Sequence, residues 1–284
     1  VSVDAGHYEV TNAFSIDVED YFHVEALASA IDRKQWDALE YRAEANTRRV
    51  LDLLAQEGVH ATFFVLGWVA KRSPQLVRDI HAAGHEVACH GLTHRTVYTQ
   101  TPEVFRAETS EAKQRLEDAT GVPVRGYRAA TYSITARSLW ALDILEELGF
   151  SYDSSIFPIR HHLYGIPGSP RFAYRAASGS LLEVPITTVE YLGQRLPAGG
   201  GGYFRLLPYV LFRAAVRRVN TRDRQAAVFY CHPWEIDPGQ PRVAGVSAKS
   251  RFRHYTNLDR MESRLRRLLR DFRWGRMDEV FGVG

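Results

Sequence analysis

The chain has only two cysteines, Cys89 and Cys231, among 284 residues. Two cysteines cannot form the disulfide framework of a small secreted domain, so a reducing compartment is favoured. Each cysteine immediately precedes a histidine, and neighbouring residues on a strand point to opposite faces. We therefore interpret both thiols as small core residues that face away from the two histidines.

Long apolar runs and a strong charge excess are also missing. No run approaches the roughly 20 apolar residues that cross a bilayer, so no transmembrane segment is expected. The net charge is only +3, which gives no reason to expect nucleic acid as a partner. The first ten residues contain Asp4, His7 and Glu9 where a signal peptide would have an apolar core, so a cytoplasmic location is expected.

Short apolar strands alternate with amphipathic helices in the first half of the chain. The pattern predicts strands at residues 13–16, 60–66, 86–89, 124–127 and 150–152, and helices at 46–57, 73–83, 102–119 and 135–148. Such alternation is typical of a parallel sheet with helices outside. Polar residues follow the strands at Asp17, His90, Arg128 and Asp153, the strand ends where an α/β barrel carries its functional groups. The pattern therefore favours a barrel over an open sheet.

The second half of the chain is less regular. Its residue pattern predicts a loop at residues 161–177, strands at 181–184 and 226–230, and helices at 207–219 and 256–272. The glycine run 199–202 is not followed by Gly-Lys-Ser/Thr, so we interpret it as a flexible turn or a close backbone approach to substrate, not a phosphate loop. The basic helix at 256–272 has one apolar stripe, which indicates packing on the domain.

Two histidines four residues apart, His90 and His94, follow the strand at residues 86–89. An acidic cluster of Asp17, Glu19 and Asp20 follows the first strand. Two imidazoles and one carboxylate would make a three-ligand metal site with room for water. The period of a strand favours Glu19 as the third ligand, with Asp20 as the alternative. Hydrogen-bonded loop histidines and a solvated acidic turn would explain the same pattern without a metal.

A further histidine, His232, ends the β-rich segment 226–231 and is followed by Pro233 and Trp234. Imidazole changes its charge near neutral pH, so a fixed histidine at this position is a candidate general acid. A histidine at the edge of the core would give the same local pattern.

Together these segments resemble the polysaccharide deacetylases of carbohydrate esterase family 4, the NodB-type proteins. The resemblance rests on residues 14–22, 90–94, 127–130, 152–155 and 231–233, in the order of the five family motifs. It is closest to the variant found beside exosortase-type exopolysaccharide loci. The resemblance implies a distorted, seven-stranded (β/α) barrel, with a deacetylase domain at residues 1–240 and a helical extension packed on the barrel at 241–284.

The resemblance also implies a role for each site residue. Asp17 would be the general base oriented by Arg128, and His232 the general acid oriented by Asp153. His90 and His94 would bind one divalent metal ion with an acidic third ligand, and the backbone N–H of Thr131 would hold the oxyanion. Zinc is the expected metal, and iron, cobalt, manganese or nickel would fit similar ligands.

The implied reaction removes N-acetyl groups from N-acetylhexosamine units of a polysaccharide or its precursor, in exopolysaccharide biosynthesis, and releases acetate. The expected partner is a carbohydrate; the oligomeric state is not predicted. The chain departs from the family pattern at its Asp-Val-Glu-Asp segment, at Gly91 and at Ala130. Two alternatives stay open: a cyclic amide or imide hydrolase acting on a small molecule, and an inactive metal-bearing carbohydrate-binding protein.

Overall fold

A computed structural model describes residues 10–161, 163–176 and 179–284. Its strands are Thr11–Val18 (β1), Thr62–Val65 (β2), Glu86–Cys89 (β3), Gly126–Tyr127 (β4), Tyr152–Asp153 (β5), Tyr174–Arg175 (β6), Leu182–Glu183 (β7), Thr188–Tyr191 (β8), Gln194–Pro197 (β9), Val228–Cys231 (β10) and Arg273–Gly275 (β11). Its α-helices are Ala43–Glu57 (α1), Gly67–Arg72 (α2), Pro74–Ala82 (α3), Pro102–Thr120 (α4), Trp140–Glu147 (α5), Gly201–Leu206 (α6), Tyr209–Arg218 (α7), Ala248–Tyr255 (α8), Leu258–Asp271 (α9) and Met277–Val280 (α10).

The main sheet is mostly parallel. Seven parallel strands follow the order β10-β1-β2-β3-β4-β5-β7, with β6 antiparallel on β7 and β11 beside β1. The sheet curls into an incomplete barrel, which confirms the predicted α/β barrel of the NodB type. Because parallel strands need crossovers, helices α1 to α5 cover the outer face.

Side-chain alternation along β1 separates the core from the barrel interior. Phe14, Ile16 and Val18 face the helices and join the large hydrophobic core. The alternate residues Ser15 and Asp17 therefore point into the barrel, because successive side chains on a strand lie on opposite faces. Asp17 is thus a buried carboxylate at the end of a strand, where a polar site can form.

Most of the glycine run packs against protein, whereas Gly202 lines the same cavity as Asp17, so a close approach of its backbone to substrate stays a prediction. The Gly199 carbonyl accepts a hydrogen bond from the Tyr230 N–H at 2.8 Å, so the run crosses the gap between β7 and β10. A Cβ at Gly199 would lie 2.5 Å from the Val228 carbonyl oxygen, and one at Gly201 would overlap the Glu235 carboxylate. Glycine is therefore required here by close packing.

The C-terminal residues pack on the barrel. Helix α9 confirms the predicted amphipathic helix, and its buried residues are Leu258, Met261, Leu265, Leu268 and Leu269. The short strand β11, which the sequence pattern did not predict, pairs with β1. The domain boundary predicted at residue 240 stays a prediction. Across the described parts of the chain, the helices are too short or too polar to cross a membrane.

Candidate metal centre and active site

Three buried side chains from β1 and β3 converge at one end of the barrel. Glu19 follows β1, and His90 and His94 follow β3. One ligand atom from each of the three lies within 4.8 Å of the others, which suits a shared metal ion. Gly91 and His94 have φ angles of 76° and 50°, so the loop turns through the left-handed region between the two imidazoles. Glycine tolerates this conformation, which explains the departure from the family pattern at position 91.

The tautomer of His90 suits a metal ligand. Its Nδ1 lies 2.7 Å from the Arg128 carbonyl oxygen, to which it donates a hydrogen bond. The Nε2 lone pair is therefore directed to the cluster, as in sites where a ligand histidine is held by its second nitrogen. Burial lowers the pKa of His90 to about 4, so the imidazole is neutral near pH 7.

Glu19 is the carboxylate of this cluster. Its Oε2 lies 2.8 Å from His94 Nε2, and its Oε1 lies 3.3 Å from the donor Nε1 of Trp234. Burial alone would raise the pKa of Glu19, but the charges of His94 and His232 hold it well below its usual value. A buried carboxylate that stays ionised between two imidazoles has the donor chemistry of a zinc-type site.

Asp20, the alternative third ligand, has a different role. Its Oδ2 accepts hydrogen bonds from the backbone N–H groups of Arg42 and Ala43, at 2.6 and 2.7 Å, and its Oδ1 accepts one from Tyr21. Both oxygens are therefore used in joining the first 3-10 turn to the start of α1. The structure brings Glu19, and not Asp20, to the two histidines.

Asp17 is paired with Arg128 inside the barrel. The Arg128 guanidinium lies 2.6 Å from Asp17 Oδ1, and both side chains are buried. Arg128 also donates to the Ser15 and Ser154 hydroxyls and lies over the Phe64 ring at 4.0 Å. Burial would lower the pKa of Arg128, but Asp17 more than offsets this and the pKa is raised. The pair fixes Asp17 Oδ1 and leaves Oδ2 facing His232, 3.9 Å from its Nε2.

His232 is held by Glu235, not by the expected Asp153. Its Nδ1 lies 2.8 Å from Glu235 Oε1, and Glu235 Oε2 lies 2.6 Å from Arg205 Nε. The imidazole Nε2 lies 3.4 Å from Glu19 Oε1. Burial would lower the pKa of His232, but Glu19, Glu235 and Asp17 raise it to about 9. His232 is therefore protonated near pH 7 in this arrangement.

Asp153 lies in a separate buried group. Its Oδ1 accepts a hydrogen bond from the Ser155 hydroxyl at 2.5 Å, and the same hydroxyl accepts one from the Ala129 N–H. Burial raises the pKa of Asp153 to about 6, although its hydrogen bonds with Glu183 and Ser155 act in the opposite direction. Asp153 therefore does not contact His232 as expected, and Glu235 forms the hydrogen bond to His232 instead. Sequence analysis missed Glu235 and Arg205, although Glu235 lies only three residues after His232.

The metal cluster, Asp17 and His232 share one cavity of about 470 Å³. Asp17, Glu19, both cluster histidines, Thr131 and His232 all line it. Thr131 has a φ of 56°, and among the described residues its N–H has no hydrogen-bond acceptor. The arrangement places a carboxylate, a histidine and a free N–H around a candidate metal site, which is sufficient for hydrolysis of an acyl group.

An incomplete parallel barrel with this cluster defines an α/β protein with a candidate hydrolytic metal centre. The family model described as polysaccharide deacetylase matches residues 35–152, and a domain of unknown function, DUF3473, matches residues 154–282. Residues 35–152 therefore match a polysaccharide deacetylase domain of the NodB type, carbohydrate esterase family 4. His90, His94 and Arg128 lie inside that match, and Asp17, Glu19 and His232 lie outside it.

Curated relatives are similar to part of the chain, and a solved structure is similar in fold. Chitooligosaccharide deacetylases from Bradyrhizobium sp. and Sinorhizobium fredii are 35% and 58% identical over 99 residues, which is 35% of this chain and 43% and 44% of theirs. The chain thus spans less than half the length of these relatives. A crystal structure of a predicted polysaccharide deacetylase from Mycobacterium smegmatis has a TM-score of 0.65 at 22% identity, covering 100% of this chain and 92% of that one. This structural similarity shows the fold.

Proposed function

We propose that this protein is a metal-dependent deacetylase that removes N-acetyl groups from N-acetylhexosamine units of a polysaccharide or its precursor, in exopolysaccharide biosynthesis. The observation that carries the proposal is the shared cavity, in which Asp17 and His232 flank the cluster of Glu19, His90 and His94. The names of the two curated relatives support the substrate class.

The cluster residues fit a divalent metal ion, and zinc suits a set of two imidazoles and one carboxylate. Glu19, His90 and His94 would hold the ion. When bound, such an ion polarises a carbonyl oxygen and lowers the pKa of a bound water toward about 7. Burial keeps His90 neutral, which leaves its nitrogen lone pair available for this role.

Asp17 would act as the general base. Arg128 holds its Oδ1 at 2.6 Å, so its Oδ2 is directed to the cavity and can accept the proton of the attacking water. The ionic partner also prevents the carboxylate from turning away. A base placed within hydrogen-bond reach of the water contributes about 10²–10⁴-fold to the rate.

His232 would act as the general acid. Glu235 holds its Nδ1–H, so its Nε2 can donate a proton to the leaving nitrogen, which without that proton is a poor leaving group. The Thr131 N–H would stabilise the oxyanion of the tetrahedral intermediate, and the loss of one such donor typically costs about 3 kcal/mol in the barrier. The products are acetate and a free amino sugar.

Acetate release from chitooligosaccharides, measured with and without a chelator, tests this proposal. We expect release that stops on chelation and returns with added zinc. His94→Ala should lose bound metal, measured by elemental analysis, whereas His81→Ala, on the far helix α3, should keep both metal and activity. Full metal content in the His94 variant would disprove the ligand assignment. Hydrolysis of a cyclic imide in place of the oligosaccharide would instead support the small-molecule alternative.

A further inference from the structure

One wall of the cavity comes from helix α8, in the C-terminal part of the chain. Lys249, Ser250 and Arg253 line the cavity from this helix. They lie within the segment that matches the domain of unknown function, to which no activity is assigned. The wall faces the same cavity as His232 and the metal cluster, so a substrate bound there would lie against both.

Helix α8 is fixed in position relative to His232. The buried Arg205 guanidinium donates to the backbone carbonyls of Arg253 and His254, each at 3.1 Å, at the end of α8. The same guanidinium holds Glu235, which in turn holds His232. Arg205 therefore connects the general acid to the wall, and the two keep a defined distance.

Aromatic stacking fixes the inner face of α8 as well. The His254 ring stacks on Trp234 with 4.3 Å between ring centroids, and His254 Nε2 donates to Gln240 Oε1 at 2.6 Å. Trp234 contacts Glu19 of the metal cluster. Because His254 and Ser250 are four residues apart, they share one face of the helix, and Lys249 and Arg253 are paired in the same way beside them.

Lys249 and Arg253 are a pair of like charges at i and i+4. Such pairs destabilise an isolated helix by a few tenths of a kcal/mol, and both side chains are exposed to solvent at the cavity wall. In the described part of the chain, however, no carboxylate lies within 4.0 Å of either cation. This leaves two cations at the cavity wall without a protein partner.

The carboxylates of the cavity are already used elsewhere. Asp17 pairs with Arg128, Glu19 with His94, and Glu235 with Arg205. Glu25 lies in the 3-10 turn Glu25–Leu27, which packs against α8, and it interacts with Arg33. Lys249 and Arg253 are therefore available to an anionic group on a bound ligand.

We propose that the substrate of this protein is anionic, with a phosphate or a uronate carboxylate next to the N-acetylhexosamine, and that Lys249 and Arg253 bind that group. The inference rests on the proposed deacetylase function and extends it to the substrate class. Both anions offer oxygen acceptors that lysine and arginine bind, and arginine can bind them with two parallel hydrogen bonds.

Equilibrium binding to the Asp17→Asn variant, in which turnover is slowed, tests the proposal. A hyaluronan tetrasaccharide, which contains uronate, is compared with chitotetraose, which is neutral. N-acetylglucosamine 1-phosphate is compared with the neutral methyl glycoside. We expect at least one anionic ligand to bind about tenfold or more tightly than its neutral counterpart, with a preference that weakens as salt is added. The ligand pair that shows the preference identifies the anion as carboxylate or phosphate.

In the Asp17→Asn variant, the further substitutions Lys249→Ala and Arg253→Ala should abolish this preference. The affinity for the neutral ligands should change by no more than about twofold. Arg251→Ala is the matched control, because Arg251 is an exposed cation on the same helix that does not line the cavity. Thermal unfolding shows whether each variant is folded. Equal binding within both ligand pairs, or a preference that survives the double substitution, would overturn the proposal.

Acetate release by the unaltered protein separates this inference from the proposed function. Deacetylation of neutral oligomers without an anionic binding preference would leave the function standing and reject the inference. An anionic preference without acetate release from any of these ligands would support the charged wall and reject the deacetylase function.

Discussion

At the scale of single residues, Asp17 owes its position to the two-residue period of β1. The strand places Phe14, Ile16 and Val18 in the core, so Ser15 and Asp17 point into the barrel. The sequence was sufficient to predict this, because the apolar and polar residues alternate. Glu19 continues the same period one residue past the end of the strand, and the structure places it at the histidine cluster.

Replacing Asp17 with asparagine tests its role as a base. Asn keeps the shape of the side chain but cannot accept the proton of the water, so we expect turnover to fall about 10²–10⁴-fold. Metal content should be unchanged, because Asp17 is not one of the three cluster residues. The measurement is acetate release beside elemental analysis of the same sample. Near-normal turnover would rule out Asp17 as the base.

The partner of His232 could not be predicted from the sequence pattern. Asp153 and Glu235 both follow predicted strands, and the family resemblance pointed to Asp153. The structure gives the contact to Glu235 because the 3-10 turn at Pro233–Ile236 folds its side chain back onto the Nδ1 and backbone N–H of His232. A reciprocal contact over three residues depends on backbone angles that residue types alone do not specify.

Substituting Glu235 and Asp153 one at a time shows which of the two carboxylates sets the pKa of His232. In metal-free protein, Glu235→Gln should lower the pKa of His232 from about 9 toward its ordinary value, because the imidazolium loses a hydrogen-bonded anion. Asp153→Asn should leave that pKa unchanged. The His232 imidazole is followed by NMR titration. A His232 pKa that responds to Asp153 but not to Glu235 would restore the original assignment.

Loss of Glu235 also leaves Arg205 without its buried ionic partner, which typically costs about 3–5 kcal/mol of stability. Glu235→Asp keeps the charge and serves as the second variant if the glutamine variant does not fold. We expect the aspartate variant to keep a His232 pKa above that of the glutamine variant.

At the scale of secondary structure, the longer elements were predictable and the shortest were not. Helices α1, α4 and α9 have clear apolar periods and end signals, such as Gly58 and Gly121 after α1 and α4. Strand β11 has only three residues, and it pairs with residues 11–13 of β1, which extend beyond the pairing of β1 with β2 and lie far away in the chain. The predicted helix at 207–219 begins later because Pro208 breaks it from α6, and the predicted helix at 135–148 is reduced to α5.

Helix α9 offers a test of packing at this scale. Leu265 is 1% exposed in the core between α9 and the barrel. Leu265→Ala should lower the free energy of unfolding by about 2–5 kcal/mol, because it removes buried methyl groups and leaves a cavity. Urea unfolding measures this change. Arg260→Ala, on the exposed side of the same helix, should change the free energy by no more than about 0.5 kcal/mol. Similar effects of the two substitutions would show that α9 does not pack as described.

At the scale of the whole molecule, the C-terminal segment packs both on the sheet and on residues of the candidate active site. Strand β11 extends the sheet at β1, Met277 contacts Arg128, and α8 is held by Arg205. The pairing of β11 connects residues more than 200 positions away with the strand that carries Asp17. Sequence periodicity could predict that α9 packs on the domain, but not that α8 forms a wall of the cavity, because that depends on a buried arginine from another helix.

The pH dependence of stability reports on this packing. Burial, together with the charge of Arg205, lowers the pKa of His254 to about 3. The unfolded chain therefore binds a proton at His254 between about pH 6.5 and pH 3 that the folded protein does not bind. The contribution of neutral His254 to the free energy of unfolding is therefore complete above about pH 6.5. It decreases as the pH falls, by at most about 1.4 kcal/mol per pH unit.

Glutamine at position 254 cannot titrate, so His254→Gln should flatten this dependence. We expect urea unfolding of metal-free protein to show a variant that is less stable than the unaltered protein at pH 7, with a difference that shrinks by about 1–2 kcal/mol by pH 5. Other buried histidines, such as His85 and His90, contribute equally to both proteins and cancel in the comparison. His81→Gln, at a partly exposed histidine, should give a curve parallel to that of the unaltered protein. Parallel curves for His254→Gln as well would mean that His254 is solvated, and α8 would then not be docked on Trp234.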